Sequence, residues 1–323
     1  MKIIITGHAG FIGSNVAEYF LNKGFSVVGI DNFDDFYPTK VKELNTLSFR
    51  NNSNFKEYRV DIIDRDSIDK IFADEKPDAI VHLAARANVT KSVKEPHLYA
   101  MNNYVGTDNL AEAAVKHGVK SFVLASTSSI YGNNNQPPFN ESMNTDNPSA
   151  PYPASKKGCE VLLYGYSLNF PLKVTVFRFF NPVGPKLRPD LAITKLFRSA
   201  LYGTDFEVFQ DIKTTSRDYT YVANMCMAIE KSFEGDWSYE IFNLGNSNNV
   251  SLETLIKSVE EITGKPINLV TNNRPGQMVH TLADISKAKK ILGYNPTETI
   301  KDMLQIYYTW FLEQPDWYKK GEY

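Results

Sequence analysis

Two periodicities alternate along the first half of the chain. "KIIIT" (2–6) is a short apolar run rich in β-branched residues, the pattern of a strand buried on both faces. Gly7 stops it. "FIGSNVAEYFLNK" (11–23) continues with apolar positions at helical spacing, and Gly24 stands where a helix C-terminus favours glycine. "SVVGID" (26–31), "FKEYRV" (55–60), "AIVHLA" (79–84) and "SFVLAS" (121–126) repeat the strand pattern, with helical segments between them, notably 97–117. This rhythm predicts an α/β fold built on a doubly wound parallel sheet.

Beyond Tyr152 a helix is expected to about Leu168, followed by a strand at "KVTVFRFF" (173–180). The pattern then loosens. "NPVGPKLRPD" (181–190) reads as loop, 191–202 as helix, "DFEVFQ" (205–210) and "RDYTYV" (217–222) as strands. "SLETLIKSVEEITG" (251–264) and "ISKAKKILG" (285–293) read as amphipathic helices. The expected division is residues 1–180 as a dinucleotide-binding domain, rejoined by part of 217–247, and 181–323 as a smaller substrate-binding region covering one end of the sheet.

Composition narrows the function. The chain has 323 residues, 42% hydrophobic and 22% charged, with a formal net charge of −2, as in an ordinary soluble globular protein. Scattered Lys and Arg give no nucleic-acid surface, and no apolar run approaches the ~20 residues that span a bilayer. The two cysteines, Cys159 and Cys226, exclude a disulfide framework and read as packing residues in a reducing compartment. They lack metal-site spacing, and the five histidines do not cluster, so no metal is expected. "MKIIITGHAG" enters a strand without a signal-peptide pattern, giving a cytoplasmic expectation.

"TGHAGFIG" (6–13) sets Gly7, Gly10 and Gly13 between the first strand and the first helix. Glycines there permit a tight turn, close approach of backbone to a pyrophosphate and close packing of helix on strand, while the helix N-terminus supplies N–H donors. The sheet is therefore expected to be of Rossmann type, with Phe11 and Ile12 beside the cofactor. Asp31 ends the second strand, where a carboxylate accepts hydrogen bonds from the adenosine ribose and repels a 2′-phosphate. "NFDDFY" after it adds acids and no arginine, which favours NAD over NADP. Asn32 at this strand end, Asp61 and Ile62 after the third strand, and Leu83, Ala84 and Ala85 after the fourth are placed at the cofactor by topology.

"LASTSSIYG" (124–132) ends the fifth strand in hydroxyl side chains, and Tyr152 and Lys156 follow on one helix face. A phenol is a poor base at neutral pH. An ammonium beside it favours the phenolate and so fits it to take a proton from a sugar hydroxyl.

With these segments the chain resembles the extended short-chain dehydrogenase/reductases, the NAD-dependent epimerase/dehydratase family. "TGHAGFIG", "HLAA", "STSSIYG", "YPASK", "RFFNPVGP" and "RDYTYV" stand in the family's order over essentially the whole chain. The resemblance implies Thr127, Tyr152 and Lys156 as the catalytic group. It implies Lys156 on the nicotinamide ribose, Ser126 and Ser128 beside the substrate, and Asn103 supporting the cofactor site. It also implies a nucleotide-sugar substrate. Sugar 4,6-dehydratases of the family carry an Asp-Glu pair directly after the threonine, and UDP-uronate decarboxylases a glutamate nearby. Here Ser128 and Ser129 follow Thr127, so a 4-epimerase is expected: oxidation at C4, rotation of the 4-keto sugar, and return of the hydride with NAD regenerated. Asn181, Arg217 and Arg274 match UDP-sugar contacts, the arginines suiting a diphosphate. Thr281 matches a position limiting the sugar pocket. "IDNFDDFY", "RPDLA" and "YPASKKGCE" resemble UDP-glucuronate 4-epimerases, with Arg188 as the cation for the uronate carboxylate. Asn181 instead resembles UDP-galactose 4-epimerases. UDP-glucose/UDP-galactose or UDP-GlcNAc epimerisation, a nucleotide-sugar reductase and a non-catalytic NAD-binding regulator are the alternatives. A homodimer is expected through helices 97–117 and 152–168.

Overall fold

Ile3 and Ile5 point to one side of a central sheet and Ile4 to the other, all three fully buried. A strand with water on neither face has this alternation with no polar side. The computed structural model describes residues 1–133, 136–209, 212–272 and 280–323. The sheet has seven parallel strands. Six are β1 (Lys2–Thr6), β2 (Ser26–Ile30), β3 (Phe55–Tyr58), β4 (Ala79–His82), β5 (Ser121–Thr127) and β6 (Lys173–Phe179); Tyr239–Leu244 is the seventh. Their order runs from Tyr239–Leu244 through β6, β5, β4, β1 and β2 to β3. The chain reverses its direction of winding between β1 and β4, and the carboxyl ends of these strands diverge there to leave a crevice.

Helices cover both faces. α1 (Phe11–Asn22) follows β1, α2 (Thr39–Thr46) follows β2 and α3 (Arg65–Glu75) follows β3. Between β4 and β5 run helices Val89–Lys94, Pro96–Tyr99 and Gly106–Lys116, the last two joined by a π-helical turn over Ala100–Val105. The helix after Tyr152 spans Pro151–Asn169. One apolar layer packs Val16, Phe20 and Ile229 on Ile3, Val123 and Phe177. The other packs Ile68, Leu110 and Leu163 on Ile4, Phe122 and Val174.

A third apolar cluster belongs largely to the C-terminal part. Helices Ala192–Tyr202, Leu252–Thr263 and Ile300–Leu312 meet around Phe197, Leu255 and Tyr307. "RDYTYV" is not one strand. Ser216–Asp218 pairs antiparallel with Asn249–Ser251, whereas Thr220–Tyr221 pairs parallel with Pro182–Val183. The break follows from Asp218, which is fully buried and turned inward: its carboxylate accepts from the N–H groups of Asn246, Ser247 and Ala283 at 2.8–3.1 Å.

Glu160 and Arg178 form a bidentate ion pair (2.8 and 3.1 Å) with side chains only 1% and 2% exposed. Ser126 donates to Glu160 at 2.6 Å, Arg178 donates to the Tyr131 hydroxyl at 3.0 Å, and Tyr131 donates to Asn243 at 2.7 Å. The network joins helix Pro151–Asn169, β5, β6 and Tyr239–Leu244. Removing one partner strands the other charge out of water, so Arg178→Met is expected to lower unfolding free energy by about 3–5 kcal/mol. Glu160→Gln/Arg178→Met should cost less than the two single variants summed. Urea denaturation of the four proteins checks both expectations.

Candidate active site

The turn after β1 uses its three glycines differently. Gly7 has φ +73°, and a Cβ there would lie 2.8 Å from the Ala84 nitrogen. A Cβ on Gly13 would lie 2.0 Å from the Gly7 carbonyl oxygen. These two are therefore requirements of packing. A Cβ on Gly10 would meet the Gly7 carbonyl at 3.1 Å and the Tyr37 hydroxyl at 3.6 Å, on the crevice side of the turn. Gly10 is also the N-cap of α1 and supplies no side-chain acceptor. The first N–H groups of α1 thus stand at the crevice without an intrahelical partner, as a pyrophosphate requires.

At the far end of β2, Asp31 is 7% exposed, and its Oδ1 accepts from Phe33 N (2.8 Å) and Lys42 Nζ (3.2 Å). Asn32 donates to Asp61 at 2.7 Å, binding the ends of β2 and β3 together. Ile62 packs where a Cβ on Gly106 would intrude. Donors at α1 and a carboxylate one strand away fit a dinucleotide laid across the strand ends.

"HLAA" is fixed from beneath. The Thr107 hydroxyl donates to the Asn103 carbonyl at 2.5 Å, so it accepts from His82 Nε2 (2.9 Å). His82 Nδ1 then accepts from Thr6 (2.7 Å), whose oxygen receives Leu83 N and Ala84 N at 3.2 Å. Burial holds the His82 imidazole well below its ordinary pKa, consistent with this neutral tautomer.

β5 delivers Ser126 and Thr127 to the crevice, and a 3₁₀ turn over Ser128–Tyr131 follows, with Ser129 N donating to the Thr127 oxygen at 3.2 Å. Pro151 at the start of its helix places Tyr152 and Lys156 on the same crevice wall. The expected depression of the Tyr152 pKa by Lys156 is corrected. Burial raises the phenol above its ordinary value, while a hydrogen bond from Thr127 and the charge of Arg188 pull it down. Lys156 is 2% exposed, and burial lowers its ammonium pKa. Arg188 reaches the crevice from the loop after β6. It is clamped by Asp190 (2.7 and 3.0 Å) and the Ala87 carbonyl (3.1 Å) and lies over the Phe36 and Tyr37 rings.

The crevice gathers Gly7, Gly10, Phe11, Ile12, Gly13, Asp31, Asn32, Asp61, Ile62 and Leu83–Ala85 at one end. At the other end it gathers Ser126–Ser128, Tyr152, Lys156, Asn181 and Arg188. Three expected residues lie elsewhere. Asn103 is fully buried behind the wall, bracing Arg86 through N–H and C=O (2.9 and 3.1 Å) and holding Ser155 (2.9 Å), while Asn102 beside it lines the crevice. Thr281 is 4% exposed, and its hydroxyl accepts from Asp218 N at 3.1 Å, which draws it into the C-terminal packing and away from the crevice. Arg217 sits opposite Val250 in its strand pair and donates to the Ser216 carbonyl at 2.9 Å. Arg274 lies outside the described residues. Lys42, Phe36, Tyr37 and Arg86 also line the crevice and were not singled out by the sequence. Among the described residues no cluster of His, Cys, Asp and Glu suits a metal ion, and no helix is long and apolar enough to cross a membrane.

The family model described as GDP-mannose 4,6 dehydratase matches residues 4–307. A UDP-glucuronate 4-epimerase from Thermodesulfobacterium geofontis is 38% identical over 312 residues, 96% of each chain. The crystal structure of UDP-glucuronic acid 4-epimerase from Bacillus cereus, in complex with UDP-glucuronic acid and NAD, superposes with a TM-score of 0.90 at 33% identity, covering 100% of both chains. UDP-glucose 4-epimerase from Thermotoga maritima, with UDP-glucose, gives a TM-score of 0.87 at 31% identity, covering 97% of this chain and 99% of that one.

The influences on Tyr152 are separable. Thr127→Val removes a hydrogen bond to the phenolate and Arg188→Gln removes a cation, so each should raise the Tyr152 pKa further. A ¹³C-tyrosine NMR titration, with the resonance assigned through Tyr152→Phe, measures the shift.

Proposed function

Because the chain belongs to the NAD-dependent epimerase/dehydratase family, we propose that it interconverts UDP-glucuronate and UDP-galacturonate at C4. The chain is a UDP-sugar 4-epimerase, an isomerase that uses NAD. The uronate reading rests on one observation: Arg188, three hydroxyl side chains (Ser126, Thr127 and Ser128) and Asn181 line the sugar end of the same crevice as Tyr152. A cation flanked by hydroxyl donors suits a carboxylate.

In this reading NAD lies across the strand ends. Its pyrophosphate is held on the N-terminus of α1 beside Gly10, its adenosine ribose on Asp31, and its remaining length along Asn32, Asp61, Ile62 and Leu83–Ala85. When bound, NAD would supply a hydride acceptor for C4 and then return that hydride to the 4-keto carbon, so none would be consumed. Tyr152 takes the proton of the 4-hydroxyl and gives it back to the epimer. Thr127 donates to the Tyr152 oxygen and so stabilises the phenolate. Lys156 holds the nicotinamide ribose. No carboxylate stands at Ser128 or Ser129, where elimination of water would need an acid, so the 4-keto sugar is left intact to turn over. The C-terminal part is assigned the uridine diphosphate, with Asn181 as its contact at the crevice.

A second reading has its own observation. Asp190 already clamps Arg188 in a bidentate pair, which favours a neutral sugar at that position. UDP-glucose/UDP-galactose is then the substrate pair.

We assign the quaternary partner to a second copy of this chain. Val161, Tyr164 and Leu168 form one exposed apolar stripe on helix Pro151–Asn169, and exposed Tyr104 packs over Gly158 of the same helix. Burying such a stripe on a symmetric copy is a common route to a C₂ dimer.

Three outcomes are expected. A proton NMR time course with UDP-glucuronate and catalytic NAD should show the C4 epimer accumulating, with UDP-glucose and UDP-GlcNAc inert; turnover of UDP-glucose alone would instead select the second reading. Tyr152→Phe should keep NAD binding and slow turnover about 10²–10⁴-fold. Light scattering should give a dimer for the wild type and a monomer for Val161→Glu/Leu168→Glu.

A further inference from the structure

Sequence reasoning favoured NAD over NADP because acids and no arginine follow Asp31. The structure brings a cation there by another route. Lys42, one turn into α2, is 6% exposed and reaches back over its own loop to within 3.2 Å of Asp31 Oδ1. α2 is docked for this: Asn45, on the next turn, donates to the Ala9 carbonyl in the glycine turn at 3.0 Å. Lys42 therefore shares the crevice wall with Asp31, Asn32 and Tyr37, its Nζ 5.5 Å from the Tyr37 ring centre. The ammonium has three N–H donors and gives one to Asp31. Asp31 Oδ1 is doubly engaged, by Phe33 N and Lys42 Nζ, while Oδ2 has no partner among the described residues. Oδ2 is the oxygen left for ribose hydroxyls.

We propose that Lys42 is a specificity-determining cofactor residue, so that preference at the ribose 2′ position is set by the Asp31–Lys42 pair and not by Asp31 alone. The inference rests on the assignment of this crevice to NAD. In the pair, Lys42 fixes the Asp31 carboxylate toward the ribose and donates to the cofactor. A 2′-phosphate meets the Asp31 charge at contact distance and is refused. With Asp31 neutralised, the same ammonium becomes a buried cation facing the 2′ position, which is the requirement for holding a phosphate there.

Nucleotide-stripped full-length protein, titrated with NAD and with NADP by calorimetry, tests this in five forms: wild type, Lys42→Met, Lys42→Arg, Asp31→Asn and the double variant Asp31→Asn/Lys42→Met. Lys42→Met should bind NAD about tenfold more weakly, the loss of one charge-assisted hydrogen bond, while Lys42→Arg stays near wild type. Asp31→Asn should gain about tenfold in NADP affinity, and adding Lys42→Met should abolish the gain. Far-UV circular dichroism identifies any misfolded variant, and the arginine variant then decides the NAD arm. If the double variant binds NADP as tightly as Asp31→Asn, or if Lys42→Met binds NAD like the wild type, Lys42 only braces the loop and the proposal is overturned. If the wild type binds no NAD, the assignment of the crevice falls and takes the proposal with it.

Discussion

Glu160 and Arg178 meet where water is almost wholly excluded, and a lone charge at either position would be costly. Each is therefore usable only if the other is present, and the geometry of the catalytic end depends on that pairing. Glu160 lies one helical turn beyond Lys156 and two beyond Tyr152, so its bond to β6 fixes the rotation of the helix that carries both. The same carboxylate accepts a hydrogen bond from the Ser126 hydroxyl, which ties that helix to the end of β5 just before Thr127. The helix and the end of β5 are thus brought into register at the crevice by a charge neither could bury alone.

The ends of β1 and β4 are held by neutral chemistry, unlike the end of β2 with its Asp31–Lys42 pair. The Thr6–His82–Thr107 chain satisfies each of its members without an ion and holds the Leu83–Ala84 backbone against Gly7. This division follows from what each end must do. The strand ends under the dinucleotide need only a fixed backbone shape, which neutral hydrogen bonds supply at little desolvation cost. On the proposed reading, the other end must set the ionisation of Tyr152, and that responds to charge.

Strands β1, β2, β4 and β5 were legible because strands covered on both faces show largely apolar, β-branched runs, and the edge strand β3, with Lys56 and Glu57, was placed by the alternating rhythm around it. Tyr239–Leu244 was missed because Glu240 and Asn243 interrupt its run; Glu240 pairs at the edge with Lys287, and Asn243 is spent on Tyr131 and the Phe139 carbonyl. "RDYTYV" read as one strand because nothing local marks Asp218 as buried; its three N–H partners come from segments 28 to 65 residues away. The glycine turn, Asp31 and the Tyr152–Lys156 pair announced themselves by spacing. Lys42 did not, since one lysine in a short polar helix has the pattern of a solvated face. Asn103 was correctly tied to the neighbourhood but not to the wall: the π-helical turn advances the chain so that Asn102 takes the crevice side.

Tyr152 shows how the two ends combine. Burial raises the Tyr152 phenol above its ordinary value, and the same burial lowers the Lys156 ammonium. Thr127 and Arg188 work against that penalty, but Arg188 is shared with Asp190. A substrate carboxylate at Arg188 would draw further on the same cation and weaken its help to the tyrosine. A neutral sugar would leave that help intact. On the proposed reading, the identity of the sugar and the basicity of Tyr152 are therefore linked through one guanidinium, which Asp190 also holds.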